Sequence, residues 1–162
     1  IFRTMEINAM APMLVAHQFL EDMVARNSGQ LCTISSMAGL ISNPKMSVYV
    51  ASKWSVLGWS DSLRLEMEKL KKNIKITTVL PYYINTGMFD GVKSVIPILQ
   101  PEKTAAKIIK AIEKERIFLG MPWGYHFVRF AQGLLPIPLF DIIVGKWMGV
   151  YNTMKDFTGR NK

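Results

Sequence analysis

Residues 74–89 read IKITTVLPYYINTGMF, and this stretch decides the fold. Ile74, Ile76, Thr77, Thr78 and Val79 are β-branched, the composition of a buried strand. Pro81 has no N–H to give a ladder and stops the strand. From there to Gln100 runs a loop punctuated by glycine and proline, and loops that long in a compact domain are usually functional.

Working upstream, an amphipathic pattern predicts a long helix from about Val48 to Lys72. Before it lies SMAGLISNPKMS (36–47), a loop of small residues, and before that QLCTIS (30–35), a short buried strand. A first helix spans about Thr4 to Arg26 and stops at NSGQ. Downstream, Pro101 sits in the first turn of a helix reaching about Glu115, a position proline favours. RIFLGMP (116–122) is a third strand, and two apolar helical stretches close the chain. Helices alternating with strands in this way predict an α/β fold, a parallel sheet covered by helices. Ligands bind such sheets at the carboxyl ends of the strands. Here those ends are SSMAG (35–39) and PYYINTG (81–87).

With 162 residues and a hydrophobic fraction of 49%, the chain suits one domain with a real core and is not a disordered polymer. The formal charge of +8 is spread out, and the basic residues sit among acids, as in RLEMEKLKK (64–72) and AIEKERIF (111–118). That pattern argues against nucleic acid, which wants a basic face with interleaved aromatics, and points to anionic lipid or an acidic cofactor. Cys32 is the sole cysteine and lies in an apolar run, so it forms no intrachain disulfide. His17 and His126 have no acid or cysteine at ligand spacing, and no metal site is expected. The most apolar stretch, 127–150, is broken by Arg129, Pro136, Pro138, Asp141 and Lys146, which fits contact with a membrane surface rather than a span.

Within the long helix, SVYVASK (47–53) places Tyr49 and Lys53 one turn apart on one face. The apolar stripe Val56, Trp59, Leu63, Met67, Leu70 extends backwards to both, so Lys53 points to the covered side. A phenol titrates near pH 10, too high for a base at neutral pH, and a nearby cation favours the phenolate. Such a phenol can take a proton from an alcohol or give one to a carbonyl. Taken alone, the pair also fits an ordinary helix turn. Ser36 ends the predicted strand, either as a donor to a substrate oxygen or as a strand cap. Pro12 deprives the Asn8 carbonyl of its helical donor, leaving a kink or a carbonyl free to hold a water or an ammonium.

Together, INAMA, CTISSMAGL, YVASK and VLPYYINTGMF resemble the short-chain dehydrogenase/reductase family, in its order and at its spacing. PYYINTGMFDG, PILQPEKTAAKII and YNTMKDFTGR look like its retinol dehydrogenase branch, near the microsomal hydroxysteroid dehydrogenases. The resemblance implies a Rossmann-like, doubly wound sheet and NAD or NADP as cofactor. It implies a reaction between a hydrophobic, retinoid- or steroid-like alcohol and its carbonyl. Tyr49 is then the acid/base. Lys53 lowers its pKa and holds the ribose hydroxyls, Ser36 polarises the substrate oxygen, and Asn8 completes the tetrad through a water on its main-chain carbonyl. Pro81, Ile84 and Thr86 match the segment that receives the nicotinamide carboxamide and nearby phosphate.

Two departures stand against that pattern. Tyr82 replaces the glycine usual after the proline, and the glycine-rich turn that seats the pyrophosphate belongs upstream of Ile1. Residues 1–162 are therefore expected to be the carboxyl-terminal part of one such domain, with a substrate loop at about 82–100 and an apolar helical tail at about 123–162. Trp54, Leu57, Trp59 and Leu65 leave the long helix apolar on more than one face, for packing on the tail or for a homodimer. The aromatics Trp123, Tyr125, Phe127 and Phe130, with Arg129 and Lys146 nearby, form either core and lid or a substrate entrance at a membrane surface. The place of action is then the cytoplasm or a membrane surface, endoplasmic reticulum or lipid droplet in a eukaryote. The alternative from another class is an inactive fragment or a lipid-associated relative without catalysis.

Overall fold

β2, Ile74–Pro81, is buried at every residue but Lys75, as a continuous β-branched run requires of a central parallel strand. It lies between β1, Gly29–Ile34, and β3, Phe118–Met121, and both pairings are parallel. The register runs from Gly29 opposite Ile74 to Ile34 opposite Val79, and from Thr78 opposite Phe118 to Pro81 opposite Met121. The computed structural model describes residues 1–159; the last three residues of the expected tail lie outside the described residues.

The helix carrying the Tyr–Lys pair is α3, Ser47–Lys69. Its Leu63 and Met67 close a cluster with Ile74 and Ile76 on one face of β2, joined by Leu20, Met23 and Val24 of the first helical run. Between them sits a small polar lock. The Ser60 hydroxyl lies 2.8 Å from that of Thr33 and 2.7 Å from that of Thr78, so helix and both strands are tied inside the core. On the opposite face Thr77 and Val79 are fully buried, and α4, Pro101–Glu113, lies against β2.

Several boundaries differ from expectation for identifiable reasons. The apolar stripe ends before Leu70, which is 59% exposed. The helix stops at Lys69, Lys71 takes a left-handed φ of 53°, and the Lys72 N–H caps the Met67 carbonyl at 2.9 Å. The first helix is a continuous helical run interrupted by a wide turn: α1, Phe2–Met5, a π-turn over Glu6–Met10, and α2, Ala11–Ala25. Pro12 lacks the N–H that Asn8 would otherwise bond, and a widened turn is the common remedy.

The loop after Pro81 is pinned at its base. Ile84 and Leu99 pair as an isolated parallel bridge, and the Leu99 N–H donates to the Tyr83 carbonyl at 2.9 Å. The tail comprises α5, Tyr125–Leu134, α6, Ile137–Phe140, a π-helical stretch Asp141–Trp147 and a short turn Val150–Asn152. Its Tyr125, Val128, Phe140, Val144 and Val150 pack on Met37, Leu40 and Leu80, and Leu57 of α3 joins them. Of the two uses foreseen for the second face of α3, Leu57 takes the tail, whereas Trp54 and Leu65 stay 46% and 52% exposed. Among the described residues, no helix is long and apolar enough to cross a membrane, and no cluster of His, Cys, Asp or Glu could hold a metal.

Candidate active site

The carboxyl ends of β1 and β2 open into a cavity of about 240 Å³. Its wall includes Asn8, Ser36, Tyr49, Lys53, Pro81, Ile84 and Thr86, so the residues singled out in four separate segments converge on one space. Met37, Ile41, Met46, Met88 and Phe89 supply the apolar part of the lining.

Each residue is held by its own local structure. Ser36 leaves β1 in extended conformation and caps the short turn Met37–Gly39, its hydroxyl accepting from the Ala38 N–H at 3.1 Å and donating weakly to the Pro81 carbonyl at 3.4 Å. The turn lies hard against α3. A Cβ on Gly39 would come within 2.9 Å of the Lys53 carbonyl, and Ser35 donates to that same carbonyl at 2.8 Å. This backbone contact, which only glycine allows, sets the offset between Ser36 and the Tyr–Lys pair.

Tyr49 and Lys53 stack along one face of α3, with the Lys53 Nζ 5.7 Å from the Tyr49 ring centroid. The ammonium donates to the Ile34 carbonyl at the end of β1, 3.3 Å away. It forms no ion pair with any described carboxylate. Burial pulls the Lys53 ammonium below its ordinary pKa. Burial also pushes the Tyr49 phenol above its own; the Ser36 hydroxyl draws it part of the way back, and Tyr83 adds to the rise. In this state desolvation governs the phenol, and Lys53 is not among the groups that shift it.

Asn8, in the π-turn, donates its side-chain amide to Ser52 at 3.2 Å, and Ser52 donates to the Tyr49 carbonyl at 2.7 Å. Ser52 is fully buried. It couples the first helical run to the base of Tyr49, and nothing in its spacing marked it beforehand. Tyr82, the bulky departure, turns to the loop: its hydroxyl meets Ser94 at 2.8 Å, its ring meets Tyr83 edge-on at 4.6 Å, and burial lifts its pKa to about 12. It lines the cavity without filling it.

The far wall was not foreseen. The Asn43 amide donates to the Tyr83 hydroxyl at 3.3 Å and to the Thr153 hydroxyl at 2.8 Å, joining the loop after β1, the loop after β2 and the tail. These contacts link residues 40 to 110 positions apart, and only the folded chain reveals them.

A helix-covered parallel sheet with a ligand cavity at its carboxyl edge defines the Rossmann-like class of α/β proteins. Residues 1–97 match the short chain dehydrogenase family, and the chain belongs to that family. It is 38% identical over 165 residues to mouse epidermal retinol dehydrogenase 2, covering 99% of this chain and 53% of that one. It is 32% identical over 171 residues to human retinol dehydrogenase 10, covering all of this chain and 49% of the relative. Among solved structures, a short chain dehydrogenase from Burkholderia cenocepacia in complex with NADP superposes with a TM-score of 0.73 at 18% identity, over 86% of this chain and 59% of the other. The chain thus spans about half the length of the curated relatives it matches.

Proposed function

We propose that this chain is the carboxyl-terminal part of a single short-chain dehydrogenase/reductase domain that interconverts a hydrophobic alcohol and its carbonyl. The observation that carries this is Lys53: a partly buried ammonium with one long hydrogen bond and no carboxylate, one turn from a phenol in a cavity whose lining includes no acid. Desolvating a cation that no acid balances is unfavourable, and a structural role would have supplied a partner.

The same feature makes the site fit a nicotinamide nucleotide. Lys53 keeps two N–H donors for ribose hydroxyls, while Pro81, Ile84 and Thr86 provide a ledge at the strand end for the carboxamide side. When bound, NAD or NADP supplies or accepts the hydride, and its oxidised ring brings a positive charge. Tyr49 moves the proton. Its raised pKa keeps the phenol protonated at neutral pH, ready to donate to a carbonyl oxygen, and the oxidising direction gains as pH rises toward the phenol's pKa. Ser36 sits where its hydroxyl can meet the same oxygen, and Asn8 contributes its main-chain carbonyl through a water. Retinol dehydrogenases among the relatives, together with the apolar lining, favour a retinoid- or steroid-like substrate.

In the full-length gene product with NAD or NADP and a hydrophobic alcohol, Tyr49→Phe should abolish nicotinamide absorbance change while circular dichroism stays native. Undiminished turnover in that variant would remove Tyr49 from the mechanism.

Two surfaces complete the proposal. Trp54 and Leu65 flank Gly58 on the open face of α3, a shape suited to pairing with α3 of a second copy. Trp123, Phe130, Ile137 and Trp147 are 67% to 81% exposed on the tail, with exposed Arg129 and Lys146 among them, a pattern that suits a peripheral seat on anionic lipid. Sedimentation of the full-length protein tests both. A dimer alone, pelleting with phosphatidylserine vesicles, is the expected result; a monomer that stays in the supernatant would discard both surfaces.

A further inference from the structure

A second, more open cavity, of about 540 Å³, adjoins the first, lined by Ile7, Val48, Met154 and Phe157, with Arg3 and Lys45 also at its wall. Asn8, Met46, Tyr49, Met88 and Phe89 belong to the walls of both cavities. The two spaces therefore share a wall. At the centre of that partition the Phe89 ring meets Tyr49 edge-on, with centroids 6.2 Å apart, and meets Tyr83 at 5.0 Å. Phe157 backs it from the tail at 6.3 Å.

The backbone beside Phe89 is clamped. The Asp90 carbonyl accepts from the Thr158 N–H at 3.1 Å and from its hydroxyl at 3.2 Å, and Lys93 pairs with Asp156 at 2.8 Å. Gly91 holds φ at +81°, and a Cβ there would lie 2.3 Å from the Asp156 carbonyl oxygen. The ring is thus presented by a loop whose position the tail dictates, against the very phenol proposed to move the proton.

We propose that Phe89 is the specificity-determining residue of the site, an aromatic partition that sets how far an apolar substrate can extend past Tyr49 into the second cavity. This rests on the proposed alcohol–carbonyl reaction and adds a length limit to its substrate class. Slender or short alcohols fit the first cavity as it stands. Longer ones, the retinoid- or steroid-like alcohols among them, bind only with the ring turned aside, at a cost in affinity that removing the phenyl relieves.

The test compares two allylic alcohols that differ only in length, prenol and farnesol, in the full-length protein. Phe89→Ala should raise the farnesol-to-prenol ratio of kcat/KM about tenfold, chiefly through KM, since a mismatch of a few carbons in an apolar pocket is worth factors of this order. Phe157→Ala should move the ratio the same way by less. An unchanged ratio in a natively folded Phe89→Ala protein overturns the proposal. Should that variant not fold, Phe89→Leu takes its place, with a smaller shift expected and an unchanged ratio equally fatal. If the parent turns over neither alcohol, the proposed reaction falls on its own, and calorimetric farnesol binding decides the partition. Tighter binding to Phe89→Ala than to the parent upholds it, and equal binding overturns it.

Discussion

Two of the cations on helix α3 stand in opposite circumstances. Arg64, in its second half, is gripped by Asp61 at 2.7 Å and Glu68 at 2.8 Å, and those hydrogen bonds raise its pKa. Lys53, in its first half, has only the Ile34 carbonyl at 3.3 Å, and burial lowers its pKa. Arg64 is matched by acids three and four residues away, the arrangement of a solvated helix face. Lys53 is left unmatched at a cavity wall. The Arg64 charge is neutralised within the fold, whereas the Lys53 charge is carried at some cost in stability, as its proposed role toward a nucleotide requires.

The sharpest way to break this contrast is to remove the unmatched charge. Lys53→Met should lower turnover of the full-length enzyme by at least about a hundredfold and weaken nucleotide binding, yet leave unfolding stability equal or higher. The pH dependence separates the causes. Because folding depresses the Lys53 pKa, the folded chain binds fewer protons than the unfolded one between that value and 10.5. The cost is full below this window and is relieved as pH rises through it. Urea midpoints of parent and Lys53→Met should therefore converge on approaching pH 10.5. A strongly destabilised Lys53→Met at neutral pH would mean that the lysine is structural after all.

A smaller effect is expected where the contrast is set up. Gly39→Ala forces a methyl against the Lys53 carbonyl and should cost about 2 kcal/mol, the usual scale of overpacking. Turnover should fall with it, because Ser36 shifts relative to Tyr49. A Gly39→Ala enzyme of parental stability and rate would show that the offset between turn and helix is not critical. The smallest effect belongs to the matched charge. Arg64→Ala should lower stability by less than about 1 kcal/mol, as exposed pairs do, with kcat/KM unchanged. A large loss of activity there would erase the distinction between the two cations.

Much of this was legible in the residues themselves. The β-branched run ending in Pro81 was legible as a strand, and the structure adds that it is the central one, buried on both faces. Tyr49, Lys53 and Ser36 were singled out by their match to a family pattern, each leaving an ordinary reading open on its own, and the fold brings all three to one cavity. What escaped detection depends on distance along the chain. Ser52 is unremarkable until Asn8 reaches it from the first helical run. Asn43, Tyr83 and Thr153 meet only after three segments have packed. Leu70 looked like core by period, but the helix had already ended, and a repeat cannot announce its own last member.

The clamp on the loop after Pro81 also has a meaning in time. Asp90 and Lys93 leave the ribosome before Asp156 and Thr158, the residues that fasten them. The sheet and α3 can assemble on the nascent chain, domain-fashion from the amino end, but the loop stays unfastened until the segment with Asp156 and Thr158 has cleared the ribosome. The pocket is therefore completed later than the sheet that bears it, and a ribosome that stalls before Asp156 leaves a sheet with an open site.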